Sequence, residues 1–171
     1  GLGANALSKK GVEKIFQITN RPKTNPLIVH CLGYYDAINY CNISSEDTLQ
    51  VFKHLIKNFW PGPLTIVVPS NNIIPKIVTG NTGFIGLRSP SNKIARELIR
   101  FTGAPIAAPS ANPFGKTSST SMEHLVEYFS DKEIIILTDK NYICKYGIES
   151  TIIKLENDSI QILRPGIITK Q

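Results

Sequence analysis

Segments of helical period alternate along the chain with short apolar runs, and the apolar runs, such as 64–68, are only strand-length. That rhythm restricts the fold. Strands joined through helices belong to an α/β sheet, whereas two strands joined by a tight turn pair antiparallel. Val12, Ile15 and Phe16 recur at helical spacing in 8–18, with Ser8 as the cap. Residues 26–32 read as a buried strand. In 47–60, Leu49, Phe52, Leu55, Ile56 and Phe59 share one face behind a Ser44-x-x-Asp47 capping signal. Prolines at 61 and 63 then turn the chain. Strands are predicted at 64–68 and 83–88, and a helix over 91–102 stopped by Gly103. A strand start at 106–108, a helix over 120–129 and strands at 133–138, 150–155 and 160–163 complete the reading. The last two flank Glu156-Asn-Asp-Ser159, a hairpin turn. The expectation is α/β, with a twisted mixed sheet and flanking helices.

At 171 residues the chain fits one domain with a full core. No repeat, low-complexity stretch or linker divides it, so one domain is expected over 1–171. No run approaches the roughly 20 apolar residues that span a bilayer, so no membrane partner is expected. Cys31, Cys41 and Cys144 are odd in number and scattered, which fits neither a disulfide framework nor a zinc site. They point to a reducing compartment, and a cytoplasmic location is expected. The opening Gly-Leu-Gly-Ala-Asn-Ala shows no secretory signal, and a start at Gly1 reads as a fragment or processed chain. Lys and Arg outnumber Asp and Glu by 19 to 13. The excess either draws ATP, RNA and other anions or reflects compositional drift.

Four loop regions carry the residues of chemical interest. In Asn20-Arg-Pro-Lys-Thr-Asn-Pro-Leu-Ile-Val-His30, two prolines stiffen a loop bearing Arg21 and Asn25. It is either a ligand clamp held at low entropic cost or a rigid surface turn. In Gly86-Leu-Arg-Ser-Pro90, Arg88 ends a strand that should be buried. Its fork matches a carboxylate, from a ligand or from the protein itself. The loop from Ala107 to Ser119 offers hydroxyl and amide donors from Ser110, Asn112 and Ser118 beside Gly115 and Lys116, suited to phosphate oxygens. Its glycine spacing is not that of a Walker loop. Finally, Gly147-Ile-Glu-Ser-Thr and Ile162-Leu-Arg-Pro-Gly place Ser150 and Arg164 at opposite ends of the terminal hairpin, which does not guarantee their approach. Glu149 either orients Ser150 or pairs with an arginine.

In order, the chain reads Arg-Pro-x-x-Asn-Pro-Leu-x-x-His, Trp-Pro-Gly-Pro-Leu-Thr, Gly-Leu-Arg-x-Pro, Pro-Ser-Ala-Asn-x-x-Gly, Glu-Ser-Thr-Ile and Leu-Arg-Pro-Gly. This series resembles the YrdC-like threonylcarbamoyl-AMP synthase family over essentially the whole chain. The resemblance implies a nucleotidyltransferase that joins L-threonine, bicarbonate and ATP into threonylcarbamoyl-adenylate and pyrophosphate. The product serves tRNA modification, through a threonylcarbamoyl transferase complex acting on tRNA. It further implies that Arg21, Asn25, Ser110, Asn112, Ser118 and Arg164 hold the nucleotide, with Arg21, Ser110 and Asn112 at the reacting phosphate. His30, Arg88 and Ser150 would hold threonine. Mg2+ is expected to bridge ATP oxygens, although no carboxylate cluster marks a metal site.

Two departures from the family pattern stand out. The family lysine ahead of Arg-Pro is Thr19 here, and Lys23 in the same loop is expected to substitute in part. The family's Thr-x-Thr-Val-Tyr strand before Gly-Leu-Gly is also missing ahead of Gly1, which would leave a sheet edge unpaired and the threonine pocket open on one side. A non-catalytic double-stranded RNA or tRNA-binding module of the same fold is the alternative; the chain lacks the interleaved aromatic and basic stripes of base stacking. A carbamoyl-adenylate domain of hydrogenase maturation is a third reading. No acylphosphatase-like or zinc-finger segment accompanies the domain to support it.

Overall fold

A computed structural model describes residues 1–116, 122–137 and 149–169. Seven strands form one mixed sheet: β1 (Ala4–Asn5), β2 (Ile28–His30), β3 (Leu64–Pro69), β4 (Phe84–Arg88), β5 (Ile106–Ala107), β6 (Thr151–Glu156) and β7 (Ser159–Arg164). Their spatial order is β1-β5-β2-β4-β3-β6-β7. β2 runs parallel to β4 and β3 parallel to β6, while the other neighbouring pairs are antiparallel. The helices are α1 (Lys9–Thr19), the single turn α2 (Tyr34–Ala37), α3 (Glu46–Phe59), α4 (Lys93–Thr102) and α5 (Met122–Phe129). The mixed sheet with flanking helices is as the sequence predicts.

The register lines up one buried row across the sheet. Val29 pairs with Leu87, Leu87 with Ile66, and Ile66 with Ile153, and all four lie in the main core. Val12, Ile15 and Phe16 of α1 and Phe52 and Ile56 of α3 bury into the same cluster. Each such side chain contributes on the order of 1.5–3 kcal/mol when fully buried. Successive strand side chains point to opposite faces. The neighbours of this row, His30 on β2, Arg88 on β4 and Thr65 on β3, therefore share the other face, away from the main core.

Ser8 caps α1 by accepting from Gly11 N, and Gly103 ends α4 in the left-handed conformation at φ 64°. The cap of α3 is Ser45, not Ser44. Ser45 Oγ accepts from Thr48 N and donates to Asp158 Oδ1 at 2.5 Å, and Thr48 Oγ1 donates to the same carboxylate. Asp158 sits in the β6–β7 turn, so a tertiary contact chooses between two adjacent serines. Asn157 and Asp158 have φ 49° and 56°, the paired left-handed geometry of a tight hairpin turn.

Other boundaries shift as well. The strand expected at 26–32 narrows to Ile28–His30. The one expected at 133–138 does not form over 133–137, where Ile135 is 91% exposed; position 138 lies outside the described residues. An apolar run without a neighbouring strand to pair with has no ladder to join. Conversely β1, too short for a periodicity signal, pairs with β5 through Ala4–Ala107 and Asn5–Ile106.

Candidate functional site

The turn at Trp60-Pro-Gly-Pro63 ties the site together. Gly62 N donates to Ser89 O, Gly62 O accepts from Arg88 Nε at 3.0 Å, and Pro63 O accepts from Thr151 N at 3.0 Å. A Cβ on Gly62 would overlap the Phe59 carbonyl oxygen, so the turn requires glycine. The Trp60 side chain supports it from the core side: Nε1 donates to Leu64 O and the ring meets Phe52 edge-on. One short turn thereby fixes both the arginine ending β4 and the start of β6.

His30 and Arg88 are register partners at the ends of the parallel pair β2–β4. Burial and the adjacent Arg88 cation hold the His30 imidazolium down to about 4. The ring is therefore neutral near pH 7. Its Nδ1 lies 3.3 Å from Ile106 O. Only a protonated Nδ1 can bond a carbonyl, which leaves Nε2 as an acceptor.

Ser150 and Arg164 come together. An antiparallel hairpin brings its two chain ends side by side at its open end, so opposite ends along the chain are neighbours in space. Arg164 Nε and Nη2 donate to Ser150 O at 3.1 and 2.9 Å, and Nη2 also donates to Ser150 Oγ at 3.1 Å. Nη1 pairs with Glu149, which answers the question left open for that carboxylate. Ser150 Oγ lies 2.8 Å from Thr65 Oγ1, and both residues are buried. The next motif residues lock this arrangement. A Cβ on Gly166 would stand 2.5 Å from Thr151 N and 2.7 Å from Glu149 O. Thr151 Oγ1 in turn donates to Ile168 O and accepts from Ile168 N.

Arg21 follows Asn20, the left-handed cap of α1, and its guanidinium carbon lies 5.3 Å from the Phe114 ring centroid. Burial lowers the Arg21 pKa and the Glu149 carboxylate opposes that shift, which puts Arg21 within electrostatic reach of the Ser150–Arg164 cluster. Phe114 N donates to Thr19 O at 2.7 Å, fastening the 108–116 loop to the end of α1. Asn25 closes the turn after Arg21, its N–H donating to Pro22 O. Ser110 sits in the same loop as Asn112, accepting from Asn112 N through its carbonyl.

Asn112 departs from the donor role expected for it. Its Nδ2 donates to Pro113 O and Lys116 O, so both amide protons are spent shaping the loop. Ser118 lies outside the described residues. Thr19 is buried, with its hydroxyl donating to Ile15 O, whereas Lys23 is exposed one turn away. Burial raises the thiol pKa values of Cys31 and Cys41, the latter to about 12, and both thiols are free. Cys144 lies outside the described residues. Among the described residues no group of three His, Cys, Asp or Glu side chains converges to hold a metal, and no helix is long and apolar enough to cross a membrane.

Thr65 and Phe114 were not singled out from sequence. Thr65 closes the Trp-Pro-Gly-Pro-Leu-Thr motif, and strand alternation from the buried Leu64 and Ile66 would have put it on the site face. Phe114 lies between Asn112 and Gly115 in a motif whose polar residues drew attention instead.

The Sua5/YciO/YrdC family, described as telomere recombination, matches residues 1–166. The chain is 41% identical to threonylcarbamoyl-AMP synthase of Pyrococcus abyssi over 167 residues, 97% of this chain and 47% of that protein. To the enzyme of the same name from Bacillus subtilis it is 39% identical over 172 residues, 100% of this chain and 48% of that protein. The chain thus spans about half the length of these relatives. Among solved structures, P. abyssi Sua5 complexed with L-threonine superposes with a TM-score of 0.86 at 38% identity, covering 96% of this chain and 46% of that one. Escherichia coli YciO, at 23% identity, shares the fold with a TM-score of 0.79 over 96% of this chain and 77% of its own. With the profile covering nearly every residue and the linked turns built from the same motifs, the chain belongs to the Sua5/YciO/YrdC family.

Proposed function

We propose that the domain forms threonylcarbamoyl-adenylate from L-threonine, bicarbonate and ATP, as a nucleotidyltransferase supplying tRNA modification. The observation that supports this reading most is a chain of contacts: one turn accepts from Arg88 Nε at Gly62 O and from Thr151 N at Pro63 O, His30 stands beside Arg88 in register, and Arg21 and Arg164 both act on Glu149. The names of the relatives, and the L-threonine in a structural neighbour, support the choice of substrates.

In this reading Arg88 takes the threonine carboxylate, Ser150 donates to a substrate oxygen, and the neutral His30 Nε2 accepts from the threonine hydroxyl or amine. The threonine nitrogen bonds the bicarbonate carbon and water leaves, giving a carbamate. A carbamate oxygen then bonds the α-phosphorus while the bond to the β-phosphate oxygen breaks, and pyrophosphate departs with that electron pair. Arg21 and Arg164 meet the charge gathering on the phosphates, and Ser110, Asn25 and Ser118 complete the nucleotide side. Fixed charges of this kind are worth roughly 3 kcal/mol of barrier each in comparable sites. Asn112 acts through the loop it shapes. Mg2+ brought in with ATP would supply further positive charge at the phosphates, beside Arg21 and Arg164. The free thiols of the buried Cys31 and the half-buried Cys41 suit a reducing compartment such as the cytoplasm. A tRNA-acting threonylcarbamoyl transferase complex consumes the product.

The test is pyrophosphate release from ATP and bicarbonate with and without L-threonine. Threonine-dependent release is expected. Tight tRNA binding with no release would favour the non-catalytic RNA module, for which the Thr19 replacement is the motivating residue.

A further inference from the structure

We propose that Thr65 is a positioning residue that turns the Ser150 hydroxyl into a directed proton donor toward an oxyanion of the amino-acid substrate; this rests on the reading above that Ser150 faces threonine. The argument is a count of protons and lone pairs. Ser150 Oγ has one proton and two lone pairs. Arg164 Nη2, which can only donate, occupies one lone pair from 3.1 Å. Thr65 Oγ1, 2.8 Å away, is the other partner, and Thr65 Oγ1 has no further hydrogen bond among the described residues.

Two hydroxyl protons share one bond between them, so one proton of the pair is left over. When an anionic oxygen lies over Ser150, a single arrangement fills every bond: Thr65 donates to Ser150, Arg164 donates to Ser150, and Ser150 donates outward. Both donors polarise the Ser150 hydroxyl in the same sense. In the opposite orientation the Thr65 proton points into a site where only 1% of that residue is exposed, and the ligand finds a lone pair instead of a proton.

The backbone holds Thr65 to this task. Strand β3 places it on the same face as His30 and Arg88. Its methyl lies across Gly86, 3.6 Å from where a Cβ would stand, which directs Oγ1 toward β6. Ser150 is fixed from the far side by three Arg164 bonds and from below by Thr151 N on Pro63 O. With the serine clamped this firmly, the direction of its proton is the remaining freedom, and Thr65 sets it.

The experiment is calorimetric titration of L-threonine into this chain and its variants, with a non-hydrolysable ATP analogue titrated separately. Thr65→Val keeps the shape and removes the hydroxyl. It should weaken threonine about tenfold, the loss of one hydrogen bond to a clamped partner, and leave the nucleotide analogue unchanged. Thr65→Ser should restore threonine affinity to within about twofold of the parent chain. In a Ser150→Ala background the Thr65→Val penalty should vanish, because Thr65 acts only through that hydroxyl. Should Thr65→Val fail to give a cooperative melt, Thr65→Ala is read in the same way. Unchanged threonine affinity in Thr65→Val, or an equal penalty with and without the Ser150 hydroxyl, overturns the assignment. No threonine heat from the parent chain would overturn both this and the proposed function, so the two failures are distinguishable.

Discussion

The neutral state of His30 makes a pH-dependent prediction that can be worked from the structure. An unfolded histidine titrates near 6.5, whereas burial and Arg88 hold the folded ring down to about 4. Between those values the unfolded chain binds the proton and the folded chain does not. Stability from this group is therefore complete above about pH 6.5 and is lost as pH falls toward 4. At about 1.36 kcal/mol per pH unit the difference is about 3.4 kcal/mol, and partial solvent access to the residue reduces it to about 2 kcal/mol. His30→Gln carries no such titration. Urea unfolding of both proteins at pH 7, 5.5 and 4 isolates the effect, because every other titrating group is common to the pair. The parent chain should lose about 2 kcal/mol more than His30→Gln on acidification. Equal losses would mean that the ring is not held neutral by its surroundings, and the role of Nε2 as an acceptor would fall with it.

Other perturbations separate further parts of the site. Gly166→Ala forces a methyl against Thr151 N and Glu149 O and must move Arg164 off Ser150. Overpacking of this kind costs about 1–3 kcal/mol, so a drop in Tm of roughly 2–10 °C and loss of threonine-dependent turnover are expected; a melt within a degree of the parent would refute the close-contact argument. Lys23→Ala tests whether the exposed lysine beside Arg21 replaces the ammonium absent at Thr19. A fall in kcat of about tenfold or more is expected, and an unchanged rate removes the compensation.

The sequence carried the architecture wherever a pattern repeated long enough to be read. Helices α1, α3 and α4 announce themselves through apolar spacing, caps and the stop at Gly103. The β6–β7 hairpin does so through Asn157-Asp158. Elements set by tertiary partners were illegible. β1 exists because Ala4 and Asn5 meet β5, and the cap of α3 moves to Ser45 because Asp158 reaches it from a turn more than a hundred residues away. The stretch at 133–137 failed for the converse reason, since apolar content alone supplies no ladder partner.

The site shows the same division. Arg88 is legible because an arginine ending a buried strand needs a partner, Arg21 because two prolines stiffen its loop, and Ser150 and Arg164 only through the resemblance to the family. Which partner each one takes depends on folding. Ser150 and Arg164 meet through hairpin geometry, Asn112 spends its protons on its own loop, and Thr65 joins the site only through the register of β3 with β6. Strand alternation held that last information, but it becomes readable only once the buried face is known.

A structure of this chain with both L-threonine and a non-hydrolysable ATP analogue bound would probe the shared cationic face directly. The amino acid should lie over His30, Arg88 and Ser150, with its nitrogen turned toward an α-phosphate held between Arg21 and Arg164. Ligands on separate surfaces, or a nucleotide whose phosphates contact neither arginine, would contradict the account.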